Sequence, residues 1–560
     1  MKKWEIMSKF RIQNSEFRIE DLVQLLLENR GLKTKKEIEA FLHPRLEDVT
    51  ISSVDINKLQ LAKAVKRIQK AIKNKEQIVV FGDYDVDGIC GSAVLWETLR
   101  DAGAIAVPYI PHRIDEGYGL SEAGIKNLKF KIKNCHLIIT VDNGIVAHDA
   151  VEFANEAGID VIITDHHVPA KTLPKAYAIV HTTKLCGAGV GWMLAQELKV
   201  KSEKFKVARE ENQLELVALA TIADLVPLTG ANRTLTKFGL ENLKKTKRVG
   251  LLELFKEAVI NPNSVDAYTV GHIIAPRLNA MGRLEYAMDS LRLICTTNKE
   301  RAANLAQLLG KTNRERQQLT LESAAHAIAK VKSEKLKVKS LLFVYHEIYQ
   351  PGVIGLVAGR LVEQFYRPAI VLSIGEKHSK ASARSIAGFN IIEFIRGSSH
   401  LLVDVGGNPM AAGFTVETGK ISELEAALHK SFVKVFDQEL LTRSIKIDCE
   451  LPLEFVSNEV YQHIQTLAPF GMGNPTPMFV SKNVIAEDVR LIGKDQRHLK
   501  LKFKIQNSKF KIDGVAFGMG ERIKEFNSGK GVDVVYTIDE NIWNGRKSLQ
   551  LKIRDVKVAD

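Results

Sequence analysis

Cysteine is scarce in this sequence, and no long apolar run occurs in it. The chain of 560 residues contains five cysteines, at positions 90, 135, 186, 295 and 449. Because they are odd in number and lack C-x-x-C spacing, we expect neither a disulfide framework nor a zinc knuckle, and a reducing compartment fits better. No apolar stretch reaches the roughly 18 residues that span a bilayer, and Met1–Gln13 lacks the apolar segment of a secretory signal. The sequence therefore favours a cytoplasmic protein.

Basic residues outnumber acidic ones. Lysine and arginine total 79 against 66 for aspartate and glutamate, which gives a formal net charge of +13. Such an excess suggests a polyanionic partner. The composition, 45% hydrophobic and 26% charged, is that of an ordinary globular protein. Because 560 residues are too many for a single core, we expect three or four domains.

Acidic and imidazole side chains follow three short apolar runs where each run ends. The run 78–81 is followed by Asp83, Asp85 and Asp87, the run 137–141 by Asp142, and the run 161–163 by His166 and His167. Apolar runs that alternate with helical patterns indicate a parallel sheet, whose strand ends meet at one edge. Carboxylates held this close repel one another unless cations lie between them. The sequence therefore predicts a cation site at that edge, although any one Asp-rich turn alone is more often a capped loop.

Longer segments resemble a known superfamily. DYDVDG at 83–88, DNG at 142–144, DHH at 165–167 and ATIADLVPL at 220–228 match, in order, the four motifs of the DHH phosphoesterase superfamily. Within it, the chain resembles the RecJ family of single-strand-specific exonucleases in PHRIDEGYGL at 111–120, IIAPRLNAMGRL at 273–284, PGVIGLVAGRL at 351–361, GGNPMAAG at 406–413 and PFGMGNPTPMF at 469–479. The resemblance covers nearly the whole chain. It implies a 5′ to 3′ exonuclease of single-stranded DNA that acts in repair and recombination.

The resemblance also implies a centre of two divalent cations. The implied metal ligands are Asp85, Asp87, Asp142, His166 and Asp224. Asp142 would bridge the two ions, and His166 and Asp224 would complete the second site. Carboxylates with one imidazole suit Mn²⁺ or Mg²⁺. Asp83 and His167 are predicted catalytic residues, with Asp83 bound through water or orienting other ligands and His167 facing the phosphate.

Substrate contacts are implied at more distant positions. These are Arg113, Tyr118, Arg277, Asn279, Arg283, Ser382, Arg384, Gly406 and Gly407. Each group has an ordinary alternative: turn residues for the first two, an inter-domain salt-bridge cluster for 277–283, and a plain turn for the glycine pair. Lys500, Lys502 and Lys504 alternate with apolar residues, and this face either binds a nucleic-acid strand or is simply solvated.

The chain departs from the family pattern at two places, the short segment after Val180 and position 408. Asn408 stands where the family reads Gly-Gly-His, and we include it among the predicted catalytic residues. An amide can donate a hydrogen bond, but it cannot carry the charge of an imidazolium or deliver its proton. Asn408 therefore leaves open a catalytically weak DNA-binding scaffold of the same superfamily, although the intact carboxylates oppose it. A phosphodiesterase for short oligonucleotides or cyclic dinucleotides is a further alternative, which the long strand-rich C-terminal segment opposes.

We predict an α/β protein built from several units. The predicted units are an N-terminal helical lead at 1–75, a parallel-sheet DHH domain at 76–235, a helical connector at 236–337, a DHH-associated α/β domain at 338–437, and a C-terminal half-open OB-like β-barrel at 444–560 that binds nucleic acid. The expected partners are single-stranded DNA and a single-strand-binding protein or helicase. We expect a monomer that has no contact with membranes.

A lysine-rich near-repeat recurs along the chain. FRIQNSEFRI at 10–19 and KFKIQNSKFKI at 502–512 are the closest pair, and weaker copies lie at 198–207 and 331–338. The irregular spacing argues against a solenoid. Recurrent insertion of one short element and coincidence both remain open.

Overall fold

The structure is a computed structural model that describes ten stretches of the chain. They are residues 2–8, 17–112, 116–132, 134–200, 213–333, 341–435, 437–505, 511–526, 531–543 and 545–559. Arg113 and the central residues of all four near-repeats lie outside these stretches. Of the helices in the described stretches, none is both long and apolar enough to cross a bilayer.

The N-terminal segment forms one strand and three helices. They are β1 (Lys3–Ile6), α1 (Ile19–Asn29), α2 (Lys35–Leu42) and α3 (Lys58–Lys73). Helix α2 begins with a capping box, in which Thr34 and Glu37 each accept a hydrogen bond from the other's backbone N–H. Helices α1 and α3 each bury an apolar stripe, as their periodicity predicts.

A five-stranded parallel sheet follows, which confirms the predicted fold class for this part of the chain. Its strands are β2 (Gln77–Gly82), β3 (Ile105–Tyr109), β4 (Cys135–Val141), β5 (Asp160–Asp165) and β6 (Ala178–His181). The strand order is β3-β2-β4-β5-β6. The connections therefore run in opposite directions on either side of β2, and the crevice between the carboxyl ends of β2 and β4 is where ligands bind in such sheets.

Helices cover both faces of this sheet. They are α4 (Val86–Asp101), α5 (Glu122–Lys131), α6 (His148–Glu156) and α7 (Gly187–Val200). In β2, Ile78 and Val80 pack in one core with α3, α4 and α7, whereas Val79 and Phe81 pack in the other with α5 and α6. Burial on both faces explains why this strand is apolar without alternation.

The next part of the chain is helical. It comprises α8 (Leu214–Ala223), α9 (Gly230–Lys244), α10 (Val249–Glu257), α11 (Ala267–Thr269), a π-helical turn (Val270–Ile274), α12 (Ala275–Leu284), α13 (Met288–Cys295) and α14 (Lys299–Ser333). Helices α9, α10, α12 and α13 join the core beneath the first sheet. Of these helices, as far as the structure describes them, α14 alone reaches the core of a second sheet, through Ala324, Ala327 and Val331. The predicted connector thus shares most of its core with the unit before it.

The second sheet is mixed. Its elements are β7 (Leu342–His346), α15 (Ile354–Phe365), β8 (Ala369–Ser373), β9 (His378–Arg384), α16 (Ile391–Arg396), β10 (Leu402–Asn408), β11 (Ala411–Glu417) and α17 (Ile421–Val435). The strand order is β10-β11-β9-β8-β7, and only β7 and β8 are parallel. Helices α14 and α15 cover one face, and α16 and α17 cover the other.

The C-terminal part is a β-barrel. Its elements are β12 (Ser444–Ile447), β13 (Cys449–Glu450), α18 (Asn458–Gln465), β14 (Phe479–Ile492), β15 (His498–Lys504), β16 (Lys511–Ala516), α19 (Ile523–Phe526), β17 (Val532–Trp543) and β18 (Arg546–Val558). The strand order is β13-β14-β15-β16-β18-β17, and β14 also pairs with β17. This last pairing closes the barrel that the sequence predicts to be half open.

The N-terminal segment completes the C-terminal unit. Strand β1 pairs in parallel with β12, from Lys3 opposite Ser444 to Ile6 opposite Ile447. Leu22, Leu25, Leu26, Leu27 and Phe41 lie in the same core as the barrel residues. Helix α3 instead packs under the first sheet. The residues predicted as one N-terminal unit are therefore divided between two cores.

Candidate metal centre

The turn after β2 places Asp85 and Asp87 by hydrogen bonds to helix N-termini. Oδ1 of Asp85 accepts hydrogen bonds from the N–H groups of Asp87 at 2.9 Å and Gly88 at 3.2 Å, which caps α4. The two oxygens of Asp87 accept from the N–H groups of Gly187 and Ala188 at 2.7 and 2.6 Å. The first turn of α7 therefore neutralises and orients a buried carboxylate.

Asp142 follows β4 in a left-handed conformation, with φ at 62°. Its N–H donates to the carbonyl of Thr164 at 3.0 Å, which fixes this conformation. A Cβ at Gly187 would lie 2.5 Å from Cβ of Asp142, so only glycine allows α7 to start this close. Two neighbouring elements thus determine where the Asp142 carboxylate points.

The residues after β5 form a hydrogen-bonded unit around Asp165. Oδ1 of Asp165 lies 2.8 Å from Nδ1 of His167 and accepts from the N–H groups of both histidines, while Oδ2 accepts from the N–H of Ile145 at 2.9 Å. Burial opposes ionisation of Asp165, but the bonds and charge of His167 lower its pKa. The same pair outweighs the burial of His167 and raises the pKa of that imidazole to about 9.

The strand-end residues converge into overlapping groups. One ligand atom from each of Asp83, Asp85 and Asp142 lies within 4.8 Å of the others, and so do those of Asp87, His166 and Asp224. Nε2 of His166 lies 3.1 Å from Oδ1 of Asp142, 3.7 Å from Oδ2 of Asp87 and 3.6 Å from Oδ2 of Asp224. Asp142 and His166 therefore stand where the two groups adjoin.

The electrostatics of these groups fit divalent cations. Burial, together with Asp87, Asp85 and Asp83, raises the pKa of Asp142 well above its usual value. Burial, together with Asp87 and Asp85, raises the pKa of Asp224 to about 8. Oδ1 of Asp142 is buried and accepts no hydrogen bond from the described residues. Five carboxylates and an imidazole with this unmet demand for positive charge are a donor set suited to Mn²⁺ or Mg²⁺.

Tyr118 is the predicted substrate residue that the structure brings to this centre. Its hydroxyl lies 3.2 Å from Nε2 of His167, and its ring meets Tyr84 edge-on at 6.0 Å between centroids. The side chain is 54% exposed, so it lines the open side of the centre. Arg113, predicted beside it, lies outside the described residues.

Residues of α12 support the centre from behind. Oδ1 of Asn279 accepts from the N–H of Val86 at 2.9 Å, in the first turn of α4. Arg283 donates to the carbonyl of Gly352 in the second α/β unit at 3.3 Å. Arg277 is ion-paired with Glu257 at 2.8 Å. For Arg277, the alternative of a salt-bridge cluster fits the contacts that the structure describes, and its substrate role stays a prediction.

The remaining predicted residues belong to the second sheet. Arg384 donates to Oγ of Ser382 at 3.0 Å, and both lie against Gly355 in the first turn of α15. Gly406 has open space where a Cβ would stand, and Gly407 has a φ of 143°. Oδ1 of Asn408 accepts from the N–H groups of Met410 at 2.9 Å and Ala411 at 3.0 Å, so it holds the β10–β11 turn.

Sequence reasoning did not single out two residues that shape the centre. Asp165 anchors His167, and Asn143 donates to the carbonyls of Phe81 and Val141 while accepting from the N–H of Leu120. Asn143 stands inside the DNG motif at 142–144, and Asp165 is the first residue of the DHH motif at 165–167. Each lies next to a candidate ligand in the sequence, and this position could have pointed to it. A residue that only hydrogen-bonds to a ligand or its neighbours, however, has no characteristic spacing in the sequence.

Comparison with known families and sequences agrees with this geometry. Family profiles match the DHH family, N-terminal domain, at residues 77–221, the DHHA1 domain at 334–434 and the RecJ OB domain at 447–555. The single-stranded-DNA-specific exonuclease RecJ of Bacillus subtilis strain 168 is 36% identical over 574 aligned residues, which cover 100% of this chain and 71% of that protein.

Two solved structures are similar over almost the whole chain. The crystal structure of RecJ from Thermus thermophilus in complex with Mn²⁺ superposes with a TM-score of 0.81 at 28% identity, covering 96% of this chain and 76% of that one. The Mg²⁺ complex from the same organism superposes with a TM-score of 0.74 at 26% identity, covering 96% and 74%.

Proposed function

The chain belongs to the RecJ family, and from this membership we propose that it is a metal-dependent exonuclease that degrades single-stranded DNA from the 5′ end. The observation that carries the proposal is the convergence of Asp83, Asp85 and Asp142 with Asp87, His166 and Asp224 at one edge of the parallel sheet. Repair and recombination of DNA are the processes that such an activity serves.

The residues of the two groups would hold two divalent cations, Mn²⁺ or Mg²⁺. Asp83, Asp85 and Asp142 form the first group, Asp87, His166 and Asp224 form the second, and Asp142, which lies 3.1 Å from His166, would serve both. When bound, a cation pair activates a water molecule and neutralises the charge that develops on a phosphodiester during hydrolysis. This assignment gives Asp83 a direct role as a ligand.

His167 would hold a proton at the scissile phosphate. Its Nδ1 is fixed by Asp165, and its Nε2 faces the exposed side of the centre beside Tyr118. Because Asp165 favours the imidazolium, Nε2 carries a proton at neutral pH and can donate it as a hydrogen bond to a phosphate oxygen. Tyr118 would limit the approach of the strand to this side and exclude part of the solvent.

The second α/β unit would bind phosphates away from the centre. Arg384 and Ser382 lie against the first turn of α15, where the backbone N–H groups and the helix dipole favour an anion. The open space at Gly406 allows a nucleotide to approach the backbone of β10 closely. Asn279 and Arg283 would keep this unit in register with the metal centre through Val86 and Gly352.

The barrel would hold the strand farther along. Arg490 stands directly opposite Lys500 on neighbouring strands, and neither forms an ion pair with a described carboxylate. Such a like-charge pair is unfavourable unless an anion lies over it. Phe517, which follows β16, is 59% exposed and packs edge-on against His498, the first residue of β15. An exposed ring beside unpaired cations suits a single strand, whose bases stack and whose phosphates need counter-charges.

The proposal extends to the cellular location, the oligomeric state and the protein partners. We place the protein in the cytoplasm as a monomer that meets a single-strand-binding protein or a helicase, because its substrate must first be unwound. The catalytically weak scaffold is kept as a second candidate, since Asn408 uses its carbonyl oxygen in the β10–β11 turn and has no proton to deliver.

Degradation of end-labelled oligonucleotides tests the proposal. Single strands labelled at the 5′ or the 3′ end, and the matched duplex, are incubated with Mn²⁺, Mg²⁺ or a chelator. We expect the 5′ label to be released at once, the 3′ label to pass through a ladder of shortening products, and the duplex and the chelated sample to stay intact. Tight binding without hydrolysis would favour the scaffold, and hydrolysis confined to dinucleotides would refute the exonuclease.

A further inference from the structure

The segment that follows Asp224 is held by the C-terminal unit. The N–H of Leu228 donates to the carbonyl of Met472 at 2.7 Å. Pro227 lies under Gly473, where an added Cβ would be 2.9 Å from the proline Cβ and 3.3 Å from its Cα. The backbone just beyond the candidate ligand is therefore in direct contact with residues 471–474, which we call the 471–474 turn.

The 471–474 turn is itself rigid. Gly471 and Asn474 exchange backbone hydrogen bonds at 2.9 and 3.2 Å. Asn474 is fully buried, its Nδ2 donates to the carbonyls of Leu467 and Pro469 at 2.8 Å, and its Oδ1 accepts from Arg30 at 2.8 Å. The turn is thus anchored both to the C-terminal unit and to helix α1. Because it is held in place, it can fix the position of the segment that follows Asp224.

The far end of the segment is fastened to the same unit. Arg233, in the first turn of α9, is 1% exposed and donates to backbone carbonyls. Its guanidinium donates to the carbonyls of Phe41, Leu467 and Ala468 at 2.8 to 2.9 Å and lies 3.7 Å from the centre of the Phe41 ring. Burial lowers the pKa of Arg233 to about 10. Residues 227–233 are therefore fixed at both ends against one rigid surface.

Asp224 is the C-terminal cap residue of α8, and its N–H donates to the carbonyl of Ala220 at 2.9 Å. It follows the last turn of α8, and its side chain is 31% exposed. The next residue, Leu225, has a φ of 58° and is 65% exposed. The N–H groups of Leu225 and Val226 donate to the carbonyls of Ile222 and Thr221 at 3.3 and 3.2 Å, so this conformation closes the C-terminal cap of α8. This closed cap joins Asp224 to Pro227 through two residues that are both hydrogen-bonded to α8, so a displacement of Pro227 strains the cap that carries the Asp224 carboxylate.

We propose that the 471–474 turn is a positioning element of the metal centre, with Gly473 as its contact residue and Asp224 as the ligand it places. This rests on the proposed metal-dependent activity and deepens it, because the C-terminal unit would then position a metal ligand as well as bind DNA. Metal ligands are commonly held in position by residues that do not bind the metal themselves. Loss of such a residue weakens metal affinity by about 10–100-fold.

Gly473→Ala tests the proposal, with Gly545→Ala as its matched control. Both glycines are in the C-terminal unit at nearly the same φ, 72° and 76°, but a Cβ at Gly545 meets nothing within 4 Å. Backbone strain is therefore equal in the two variants, and only Gly473→Ala presses on Pro227. Gly471→Ala, whose Cβ meets the buried side chain of Leu228 at 2.8 Å, supplies a milder second variant if Gly473→Ala does not fold.

Binding of Mn²⁺ to the DNA-free protein is measured by calorimetry and by electron paramagnetic resonance. We expect wild type and Gly545→Ala to bind two ions, and Gly473→Ala to bind one normally and the other about 10–100-fold more weakly. Asp224→Asn should show the same loss, and adding Gly473→Ala to it should cause no further loss, because both act on one ligand. Single-strand affinity in a chelator should be equal in all of these proteins.

Three results would overturn the proposal: Mn²⁺ binding by Gly473→Ala equal to that of Gly545→Ala, a loss that adds to that of Asp224→Asn, or a fall in chelator-resistant DNA affinity of the same size. If Gly471→Ala must stand in, unchanged Mn²⁺ binding by it overturns the proposal equally. Failure of the exonuclease proposal is seen separately, in the end-labelled assay on wild type.

Discussion

Oδ1 of Asp142 lies 3.1 Å from Nε2 of His166. Other carboxylates of the candidate metal centre lie close to the same imidazole. These two atoms come from residues that follow different strands, β4 and β5, and with His167 they form a further group of candidate ligand atoms. A carboxylate oxygen and a ring nitrogen placed this way can serve adjacent cations. We therefore propose that Asp142 is the ligand shared by both halves of the centre.

Replacing Asp142 should remove hydrolysis while leaving DNA binding. Two-ion stabilisation is worth several kcal/mol, so Asp142→Ala should lower the single-turnover rate by at least about a thousandfold. Affinity for a single strand should change little, because phosphate contacts elsewhere supply it. Glu152→Ala, at an exposed position on α6, is the control. Retention of a tenth of the wild-type rate would exclude a bridging role.

The barrel surface should contribute to single-strand affinity in two separable ways, through the charge of its cations and through base stacking on its exposed ring. Arg490→Ala with Lys500→Ala should reduce the slope of log affinity against log salt by about 1.4, because each phosphate contact on a single strand contributes about 0.7. Phe517→Ala should lower affinity by about 1–3 kcal/mol and leave the slope unchanged. Lys502→Ala with Lys552→Ala is the matched control, since Asp488 and Asp539 already pair with those lysines. Equal slopes for the two double variants would show that this surface does not contact phosphates.

Asn408→His should restore proton donation. An exposed imidazole titrates near pH 6.5, and general acid catalysis is worth about 10²–10⁴-fold, so a gain of about tenfold or more is expected at pH 6.5 and should fade above neutral pH. Asn408→Ala measures the separate effect of losing the two hydrogen bonds of the β10–β11 turn. Single-turnover rates and DNA affinity are compared for all three proteins. If the rate of Asn408→His at pH 6.5 equals that of wild type, position 408 does not contact the reacting groups.

A buried ion pair should make stability depend on pH. Arg248 binds both oxygens of Glu97 at 2.7 and 2.8 Å. Burial opposes ionisation of Glu97, but Arg248 outweighs it and lowers the pKa below the ordinary 4.5. The pair therefore stabilises the folded state fully above about pH 4.5, and this stabilisation is lost as the pH falls below that value.

Glu97→Gln should accordingly lower the free energy of unfolding by about 1.5–3 kcal/mol at pH 7, because Arg248 loses one charged partner but keeps its ion pair with Glu215. The difference from wild type should shrink below about pH 4.5, where Glu97 itself begins to take up a proton. Urea unfolding at several pH values measures both effects. Glu241→Gln, which removes an exposed pair with Lys244, should cost less than about 1 kcal/mol. A difference that stays constant down to about pH 3 would contradict this account.

Deleting residues 444–560 alone should not leave a well-folded protein. The deletion would expose Leu22, Leu25, Leu26, Leu27 and Phe41, each worth roughly 1.5–3 kcal/mol when buried. We expect such a chain to bind a hydrophobic dye and to elute as aggregates in gel filtration. Removing residues 1–43 as well should restore a monodisperse protein, and dye binding that is equal in the two truncated chains would argue against this packing.

The sequence predicts the strand ends well because of a simple geometric rule. In a parallel sheet the residues after each strand share one edge, so Asp83, Asp142 and His166 could be placed together from three apolar runs. Likewise, the alternation of Leu499, Leu501 and Phe503 with lysines predicts which side of β15 is buried, and those three side chains are fully buried. Periodicity is local information, and these features need nothing more.

The sequence does not predict which distant element packs against each buried helix face or buried side chain. The spacing of Leu22, Leu25 and Leu26 shows that one side of α1 is covered, but not that the cover is a barrel at the other end of the chain. Arg233 reads as an ordinary surface cation, since nothing in its neighbours reveals the four carbonyl oxygens it meets. Contacts between distant segments leave no mark on a single sequence.

The sharing of the barrel core with α1 and α2 also bears on how the chain is made. Leu27 and Phe479, which pack in one core, lie near opposite ends of the chain. At a synthesis rate of about 5–20 residues per second, α1 leaves the ribosome about 20–90 s before its partners exist. During that interval its leucines have no native cover, so the first helices to be translated are among the last to reach their final place.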